Sequence, residues 1–138
     1  MEIFTRSEKG TFNLGKRLAR HLEGHDLILL TGDLGSGKTV FVKGLALSLG
    51  ISQEITSPTF VFMRSYRGKN FNLYHFDLYR LRQKSDLSRL DFGDVLGDQN
   101  GIFVVEWPKL FPKKLFKRVR HVRLRSLDEH SRQISIDG

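Results

Sequence analysis

The sequence predicts an α/β fold, a three-layer sandwich in which helices cover both faces of a central mixed β-sheet. Two short continuous apolar runs, residues 27–30 and 102–105, are typical of strands that are buried on both faces. Leu14, Leu18 and Leu22 recur at four-residue spacing and indicate a helix with one apolar face before the first run. Strands that alternate with such helices favour an α/β sheet.

The first half of the chain predicts a strand, a helix, a buried strand and a second helix, in that order. Residues 2–5 are the expected first strand, and Ser7 is expected to cap a helix that ends near Gly24. A glycine-rich turn follows the buried strand, and the second helix extends from about Lys38 to Leu49.

The second half predicts an antiparallel hairpin and closing strands, which make the sheet mixed. Two aromatic-rich segments, residues 60–66 and 71–79, are joined by Arg-Gly-Lys-Asn, which is typical of a hairpin turn. The other expected elements are a weak helix at 85–96, the buried strand at 102–105, and closing strands at 119–127 and 133–136 around a turn at 128–131.

Length and composition exclude several classes of protein. The 138 residues suit one domain, residues 1–138. The absence of cysteine excludes a disulfide framework, thiolate zinc sites, iron–sulfur clusters and a cysteine nucleophile, and it permits a cytoplasmic location. The N-terminus lacks a signal-peptide pattern, and no apolar run approaches the roughly 20 residues of a membrane span, so we expect no membrane contact.

The strongest motif is the octet Gly-Asp-Leu-Gly-Ser-Gly-Lys-Thr at 32–39, which matches the phosphate loop of nucleoside triphosphatases. Its glycines let backbone N–H groups face phosphate oxygens, and the following helix adds its positive N-terminal end. Lys38 supplies a charge to the terminal phosphates, and the Thr39 hydroxyl is placed to ligate magnesium. The sequence therefore predicts a P-loop NTPase-like domain that binds ATP or ADP with Mg²⁺. The nucleotide-binding candidates here are Gly32, Asp33, Leu34, Gly35, Ser36, Gly37, Lys38, Thr39 and Val40.

The second buried strand ends in an acid followed by a tryptophan. Glu106 closes the apolar run, an arrangement that accompanies phosphate loops, where the acid reaches magnesium or the attacking water. Glu106 is therefore a catalytic and magnesium-binding candidate. Trp107 either stacks on a base or covers the edge of the sheet, and we count it among the nucleotide-binding candidates.

A polar trio interrupts the second aromatic segment. His75, Asp77 and Tyr79 share one face if the segment is a strand. Polar groups on an apolar strand need partners, so the trio is either a hydrogen-bonded rim of the hairpin or a magnesium and water site served by Asp77.

A loop with three hydroxyl groups, Thr-Ser-Pro-Thr at 56–59, precedes the hairpin. Pro58 stiffens it. A loop after the first strand–helix unit can sense the terminal phosphate as a switch, so Ser57, Pro58 and Thr59 are switch candidates. Read alone, the same residues indicate only a turn.

The basic residues are concentrated late in the chain. The net charge is +8, from 23 basic and 15 acidic residues, and residues 109–125 hold eight basic residues and no acid. The rest of the chain is therefore neutral, with 15 basic against 15 acidic residues. Three interpretations stay open: a solvated face, a surface for a polyanion such as tRNA, and a docking site for an acidic protein.

These motifs, in this order and at these distances, resemble the bacterial TsaE family. Its pattern runs G-D-L-G-[AS]-G-K-T, then S-P-T-F, then H-x-D-x-Y-R, then an apolar strand that ends in E-W. The matching residues in this chain are 32–39, 57–60, 75–80 and 106–107. The resemblance implies a small cytoplasmic P-loop ATPase that works with TsaB and TsaD in making threonylcarbamoyladenosine in tRNA. It also implies that the ATPase depends on this partner complex.

The resemblance also implies roles for particular residues. Thr39 and Glu106 are expected at magnesium, with Asp77 in the same site, and the loop at Ser57 is expected to act as a switch. The resemblance suggests in addition that Ser7 or Thr11 borders the nucleotide.

The function that the sequence favours is ATP hydrolysis that drives a tRNA-modification complex, with Lys38, Glu106 and Asp77 as catalytic candidates. A small-molecule kinase is one alternative, but it needs a lid and an acceptor pocket for which this chain length leaves little room. A nucleotide-dependent nucleic-acid-binding module is the other, and it depends on the basic segment. Stimulation of hydrolysis by partner proteins, by RNA alone or by a small acceptor distinguishes the three.

Overall fold

A computed structural model describes residues 1–89 and 92–138, without the side chains of residues 84, 88 and 89. None of the described helices has the length and apolar character needed to span a lipid bilayer. The elements in chain order are β1 (Glu2–Thr5), α1 (Glu8–Ala19), β2 (Leu27–Gly32), α2 (Lys38–Ser48), β3 (Met63–Arg67), β4 (Asn72–Asp77), α3 (Lys84–Arg89), α4 (Gly93–Leu96), β5 (Gly101–Glu106), two short 3₁₀ helices (Pro108–Leu110 and Lys113–Leu115), β6 (Val119–Ser126) and β7 (Arg132–Asp137).

The strand β2 lies at the centre of a seven-stranded sheet with the order β1-β7-β6-β2-β5-β4-β3. It pairs in parallel with β5 on one side and β6 on the other, and β4 pairs in parallel with β5. The outer pairs β3–β4, β6–β7 and β1–β7 are antiparallel, which confirms the predicted mixed sheet. The carboxyl ends of the four parallel strands β2, β4, β5 and β6 therefore meet at one edge.

The two faces of β2 belong to two different cores, which confirms the three layers. Ile28 and Leu30 pack in the core beneath α1 and α2, whereas Leu27 and Leu29 pack in the core on the opposite face. The second core is closed by side chains from α3, α4 and the segment between β5 and β6, namely Leu87, Val95, Leu96, Phe111 and Phe116. Burial on both faces explains why residues 27–30 contain no polar side chain.

The start of α1 is as predicted, but its end is not. The Ser7 hydroxyl accepts a hydrogen bond of 3.0 Å from the backbone N–H of Gly10, so Ser7 caps the helix. The regular helix ends at Ala19 rather than near Gly24. The next turn tightens into bonds between residues three apart, from the His21 N–H to Leu18 and from the Leu22 N–H to Ala19, and this still buries Leu22.

The hairpin is shorter than the aromatic segments suggest. Its strands are Met63–Arg67 and Asn72–Asp77, so Tyr79 lies beyond the strand rather than on its face. Residues 60–62 are not in the strand, because the backbone N–H groups of Val61 and Phe62 turn back to the carbonyl of Pro58, at 3.1 and 2.7 Å. The weak helix predicted at 85–96 is two short helices, α3 and α4; residues 90 and 91 lie outside the described part of the chain.

The helices α1 and α2 cross with almost no side-chain space between them. A Cβ added to Gly44 would lie 1.9 Å from the carbonyl oxygen of Phe12, and one added to Gly15 would lie 2.2 Å from that of Phe41. Both close neighbours are backbone atoms, which cannot move aside as the end of a side chain can. The two glycines therefore set how closely α2 is held to α1.

We expect Gly44→Ala to destabilise the fold, because overpacking a close contact costs about 1–3 kcal/mol. The measurement is the unfolding free energy from chemical denaturation. Gly93→Ala is the matched control, since an added Cβ there meets no atom within 4 Å. Equal stability of the two variants would show that the crossing is not as tight as described.

Candidate nucleotide site

A cavity of about 690 Å³ lies at the edge where the parallel strands end. The loop between β2 and α2 forms one wall, the carboxyl ends of β4 and β5 form the floor, and the loop at Ser57 and Thr59 faces them. The N-terminus of α1 and the turn between β6 and β7 close the remaining side. The crevice outside the carboxyl ends of parallel strands is the usual ligand site of open α/β sheets.

The phosphate loop has a conformation that depends on its glycines. Gly35 and Gly37 have φ angles of 78° and 100°, in the left-handed region that other residues avoid. Between them, the backbone N–H of Ser36 donates to the carbonyl of Asp33 at 3.0 Å and closes a turn. The helix α2 begins directly afterwards at Lys38, so its N-terminal end faces the cavity. This is the geometry that the octet at 32–39 predicts.

Glu106 is held between a lysine and a histidine. Its Oε1 lies 3.3 Å from Nζ of Lys38, and its Oε2 lies 2.6 Å from Nε2 of the fully buried His75. Burial alone would raise the pKa of Glu106, but the hydrogen bonds and charges of His75 and Lys38 outweigh it and hold that pKa below its ordinary 4.5. Because an ionised carboxylate only accepts hydrogen bonds, Nε2 of His75 carries the proton.

Asp77 lies beside Glu106, since the two residues are paired in the β4–β5 ladder. One carboxylate oxygen of Asp77 accepts a hydrogen bond of 2.8 Å from the Thr59 hydroxyl, and the other accepts 3.0 Å from the backbone N–H of Tyr79. The hydroxyls of Thr59 and Ser57 are 2.7 Å apart. The loop at 57–59 is thus connected to the floor of the cavity through one carboxylate.

The oxygen atoms around the floor suit a small hard cation. Thr39, Asp77 and Glu106 all line the cavity and offer a hydroxyl and two carboxylates, which are donors that Mg²⁺ accepts. Across residues 1–89 and 92–138, no group of three His, Asp or Glu side chains is close enough to hold a metal ion alone. Mg²⁺ takes one or two protein carboxylates and completes its shell with phosphate and water oxygens.

The far side of the cavity is formed by α1 and by Trp107. Ser7 and Thr11 line it, and the Thr11 hydroxyl is 2.8 Å from that of the buried Thr5. Trp107 is 45% exposed and tilts against Tyr79, with ring centroids 4.8 Å apart. Nζ of Lys38 lies 5.2 Å from the centre of the indole ring. Trp107 therefore faces the cavity rather than the core.

Most of the candidate residues come together at this cavity, and three lie behind its wall. Gly32, the buried Ser36 and Pro58 do not line it. Five lining residues were not among the candidates, namely Glu8, Tyr79, Glu129, His130 and Arg132. The sequence predicts Tyr79 on the strand beside Asp77, as part of the polar trio, whereas no motif in the sequence points to the other four.

The basic segment 109–125 is partly neutralised within the fold. Arg118 pairs with Asp26 at 2.7 Å and with Glu23 at 3.2 Å, and Arg123 pairs with Asp137 at 2.8 Å. On β6, Val122 and Leu124 are buried while Arg123 and Arg125 are exposed, as the alternation predicts. The exposed basic residues that remain are Lys109, Lys113, Lys114, Lys117 and Arg125.

Comparison with known proteins gives a consistent result. The family model described as "Threonylcarbamoyl adenosine biosynthesis protein TsaE" matches residues 5–134. The chain is 39% identical over 140 residues to the tRNA threonylcarbamoyladenosine biosynthesis protein TsaE of Treponema pallidum, covering 99% of each chain. It is 36% identical over 131 residues to the protein of the same name from Rickettsia typhi, covering 94% of this chain and 90% of the relative. The crystal structure of Bacillus subtilis YdiB superposes with a TM-score of 0.78 at 27% identity, covering 99% of this chain and 83% of that one.

The lowered pKa of Glu106 predicts a change of stability with pH. A carboxyl whose pKa is lower in the folded state stabilises the fold above its unfolded pKa, and this contribution is lost as the pH falls through the folded pKa. Glu106→Gln resembles the protonated form. We therefore expect the difference in unfolding free energy between wild type and Glu106→Gln to shrink as the pH falls below about 4.5.

The measurement is denaturant unfolding of the nucleotide-free protein between pH 7 and pH 3. The exposed Glu54→Gln provides the control. Parallel pH curves for wild type and Glu106→Gln would contradict the prediction, because the carboxylate would then gain nothing from Lys38 and His75 on folding.

Proposed function

This chain belongs to the TsaE family of threonylcarbamoyl adenosine biosynthesis proteins, and on that premise we propose that it hydrolyses ATP with Mg²⁺ in the cavity described above. One observation carries the proposal: Lys38, at the start of the helix after the glycine loop, is paired with Glu106 at the end of the neighbouring parallel strand. Lys38, which can bind the phosphates, and Glu106, which can act on the attacking water, therefore lie together where the terminal phosphate of ATP would enter.

The role of Lys38 follows from its charge and its position. Its ammonium group binds the terminal phosphates of ATP, and its ion pair with Glu106 is broken when the phosphates enter. The carboxylate of Glu106, still held by His75, is then free to accept a hydrogen bond from the attacking water. Thr39, Asp77 and Glu106 would hold Mg²⁺, which would neutralise part of the phosphate charge when bound.

The loop at 57–59 is proposed to act as a switch. The hydrogen bond from the Thr59 hydroxyl to Asp77 supports this, because it connects the loop to the floor of the cavity. If Asp77 binds a different partner when nucleotide enters, this bond is altered and the loop can move. The loop leads directly into the exposed Phe60 and Val61. Nucleotide state would in this way change the outer surface of the protein.

We propose that the chain, as a single cytoplasmic domain over residues 1–138, works with TsaB and TsaD on tRNA. The relatives are named for threonylcarbamoyladenosine biosynthesis in tRNA. Exposed apolar and aromatic side chains that line the cavity also support a protein partner: Leu34 is 100% exposed, Tyr79 62% and Trp107 45%. Phe60, which follows the lining residue Thr59 in the chain, is 80% exposed. Apolar groups gathered at one place on a surface are typical of protein contacts.

Replacement of Lys38 by Ala should abolish detectable ATPase activity and weaken ADP binding at least tenfold, because the charge aimed at the terminal phosphates is lost. Glu106→Ala and Asp77→Ala should stay folded and lower turnover at least tenfold, which is about 1.4 kcal/mol in the barrier. Calorimetric ADP titration and phosphate release measure the two effects. Lys43→Ala, on the exposed side of α2, is the control. Normal activity of the Lys38 variant would refute the site.

TsaB and TsaD together should stimulate hydrolysis, whereas RNA alone or a small acceptor should not. Reversal of Lys113, Lys114 and Lys117 to Glu tests whether the exposed part of the basic segment takes part. Loss of tRNA affinity and of its salt dependence in the assembled complex would favour a polyanion surface. Loss of partner binding with unaltered tRNA affinity would favour protein docking. Reversal of the exposed Arg17, Arg20 and Lys43 controls for the change in net charge.

A further inference from the structure

Arg132, the first residue of β7, lines the cavity, and its side chain contacts the phosphate loop. Its Nε donates a hydrogen bond of 3.0 Å to the carbonyl oxygen of Ser36, and its Nη2 donates one of 3.1 Å to the carbonyl oxygen of Gly35. Both acceptors belong to the central part of the loop. A residue 96 positions away in the sequence thus holds two successive peptide groups of the motif.

The other donors of the same guanidinium hold the turn between β6 and β7. Nη1 donates to the carbonyl oxygens of Asp128 and Ser131, each at 2.9 Å. Nη2 also lies 3.5 Å from the carbonyl oxygen of Glu129. None of the ion pairs formed within residues 1–89 and 92–138 includes Arg132. Its planar group therefore acts as a fork between two main-chain segments rather than as half of a salt bridge.

Fixing these carbonyls also fixes the donors of the loop. In a planar trans peptide the C=O and the following N–H point in opposite directions. The bonds to Gly35 and Ser36 therefore help to set the direction of the Ser36 N–H, which donates to the carbonyl of Asp33, and set the direction of the Gly37 N–H. The left-handed φ angles of Gly35 and Gly37 are accessible to glycine at little cost, but glycine is equally free to leave them. A restraint from outside the loop therefore adds to the loop's own bond between the Ser36 N–H and the carbonyl of Asp33.

The turn on the other side is itself well fixed. The carboxylate of Asp128 accepts hydrogen bonds of 2.9 and 2.8 Å from the backbone N–H groups of His130 and Ser131. The same two bonds lower the pKa of Asp128. The turn thus offers Arg132 carbonyls in a fixed arrangement, and Glu129 and His130 from this turn line the cavity.

We propose that Arg132 is a positioning residue that holds the phosphate loop, through the carbonyls of Gly35 and Ser36, in the conformation that receives the phosphates of a nucleoside di- or triphosphate. It does so by anchoring the loop to the β6–β7 turn, so that these two walls of the cavity act as one unit. The inference rests on the proposed nucleotide-binding function for its consequence, but the restraint on the loop can be measured without any nucleotide.

The test compares Arg132→Met and Arg132→Lys with wild type. Arg125→Met, an exposed arginine of the same hairpin, is the matched control. Hydrogen exchange of the nucleotide-free proteins measures the restraint, and calorimetric titration with ADP measures its consequence. We expect both Arg132 variants to speed exchange of the loop amides at least tenfold, with α1 unchanged, and to weaken ADP binding at least tenfold. Arg125→Met should change neither.

Three outcomes would overturn the proposal. If Arg132→Lys binds ADP as tightly as wild type does, ADP affinity depends on the positive charge and not on the fork of hydrogen bonds. Unchanged exchange of the loop amides in a folded Arg132 variant would mean that the loop holds itself. Faster exchange spread evenly over the whole chain would mean a general loss of stability. If wild type fails to bind ADP, the proposed function is wrong, while the exchange data still decide whether Arg132 restrains the loop.

Discussion

The parallel pairing of β2 with β5 is the constraint on which the candidate site depends. It sets Leu30 opposite Glu106, so the strand that leads into the phosphate loop ends beside the strand that carries the acid. The pairing of β4 with β5 sets Asp77 opposite Glu106 in the same way. Because strand side chains alternate between two faces, a slip of one residue in either ladder would turn a carboxylate away from the cavity. The apolar residues that fix the register therefore also fix the position of the acids.

The pair of Lys38 and Glu106 gives the site a stable charge arrangement. The side chain of Lys38 is only 11% exposed, and a cation with so little water around it needs an anionic partner. Glu106 supplies that partner in the nucleotide-free protein. Phosphate oxygens are anionic as well, so under the proposed function an entering nucleotide would exchange one anionic partner of Lys38 for another. The bond between Glu106 and His75 uses the other carboxylate oxygen and does not involve Lys38.

Features set by neighbouring residues could be predicted from the sequence, and features set by strand order could not. The phosphate loop, the Ser7 cap and the acid at the end of β5 each depend on a short pattern, and all three have the expected geometry. Arg132 escaped detection because its role arises only when β6 lies beside β2, which brings the following turn to the loop. The strand β3 begins later than the sequence predicts because a turn back to Pro58 outweighs the strand propensity of the aromatic residues.

The glycine crossing of α1 and α2 has a mechanical consequence for the whole molecule. With backbone against backbone at Gly15 and Gly44, neither helix can slide or roll along the other without a collision. The helix α2, which carries Lys38 and Thr39, is therefore held in a fixed position against α1. The segment that begins at Ser57, on the opposite side of the cavity, is connected to the floor by side-chain hydrogen bonds rather than by a packed helix pair. We therefore expect that this segment, and not α2, moves if the cavity opens or closes around a ligand.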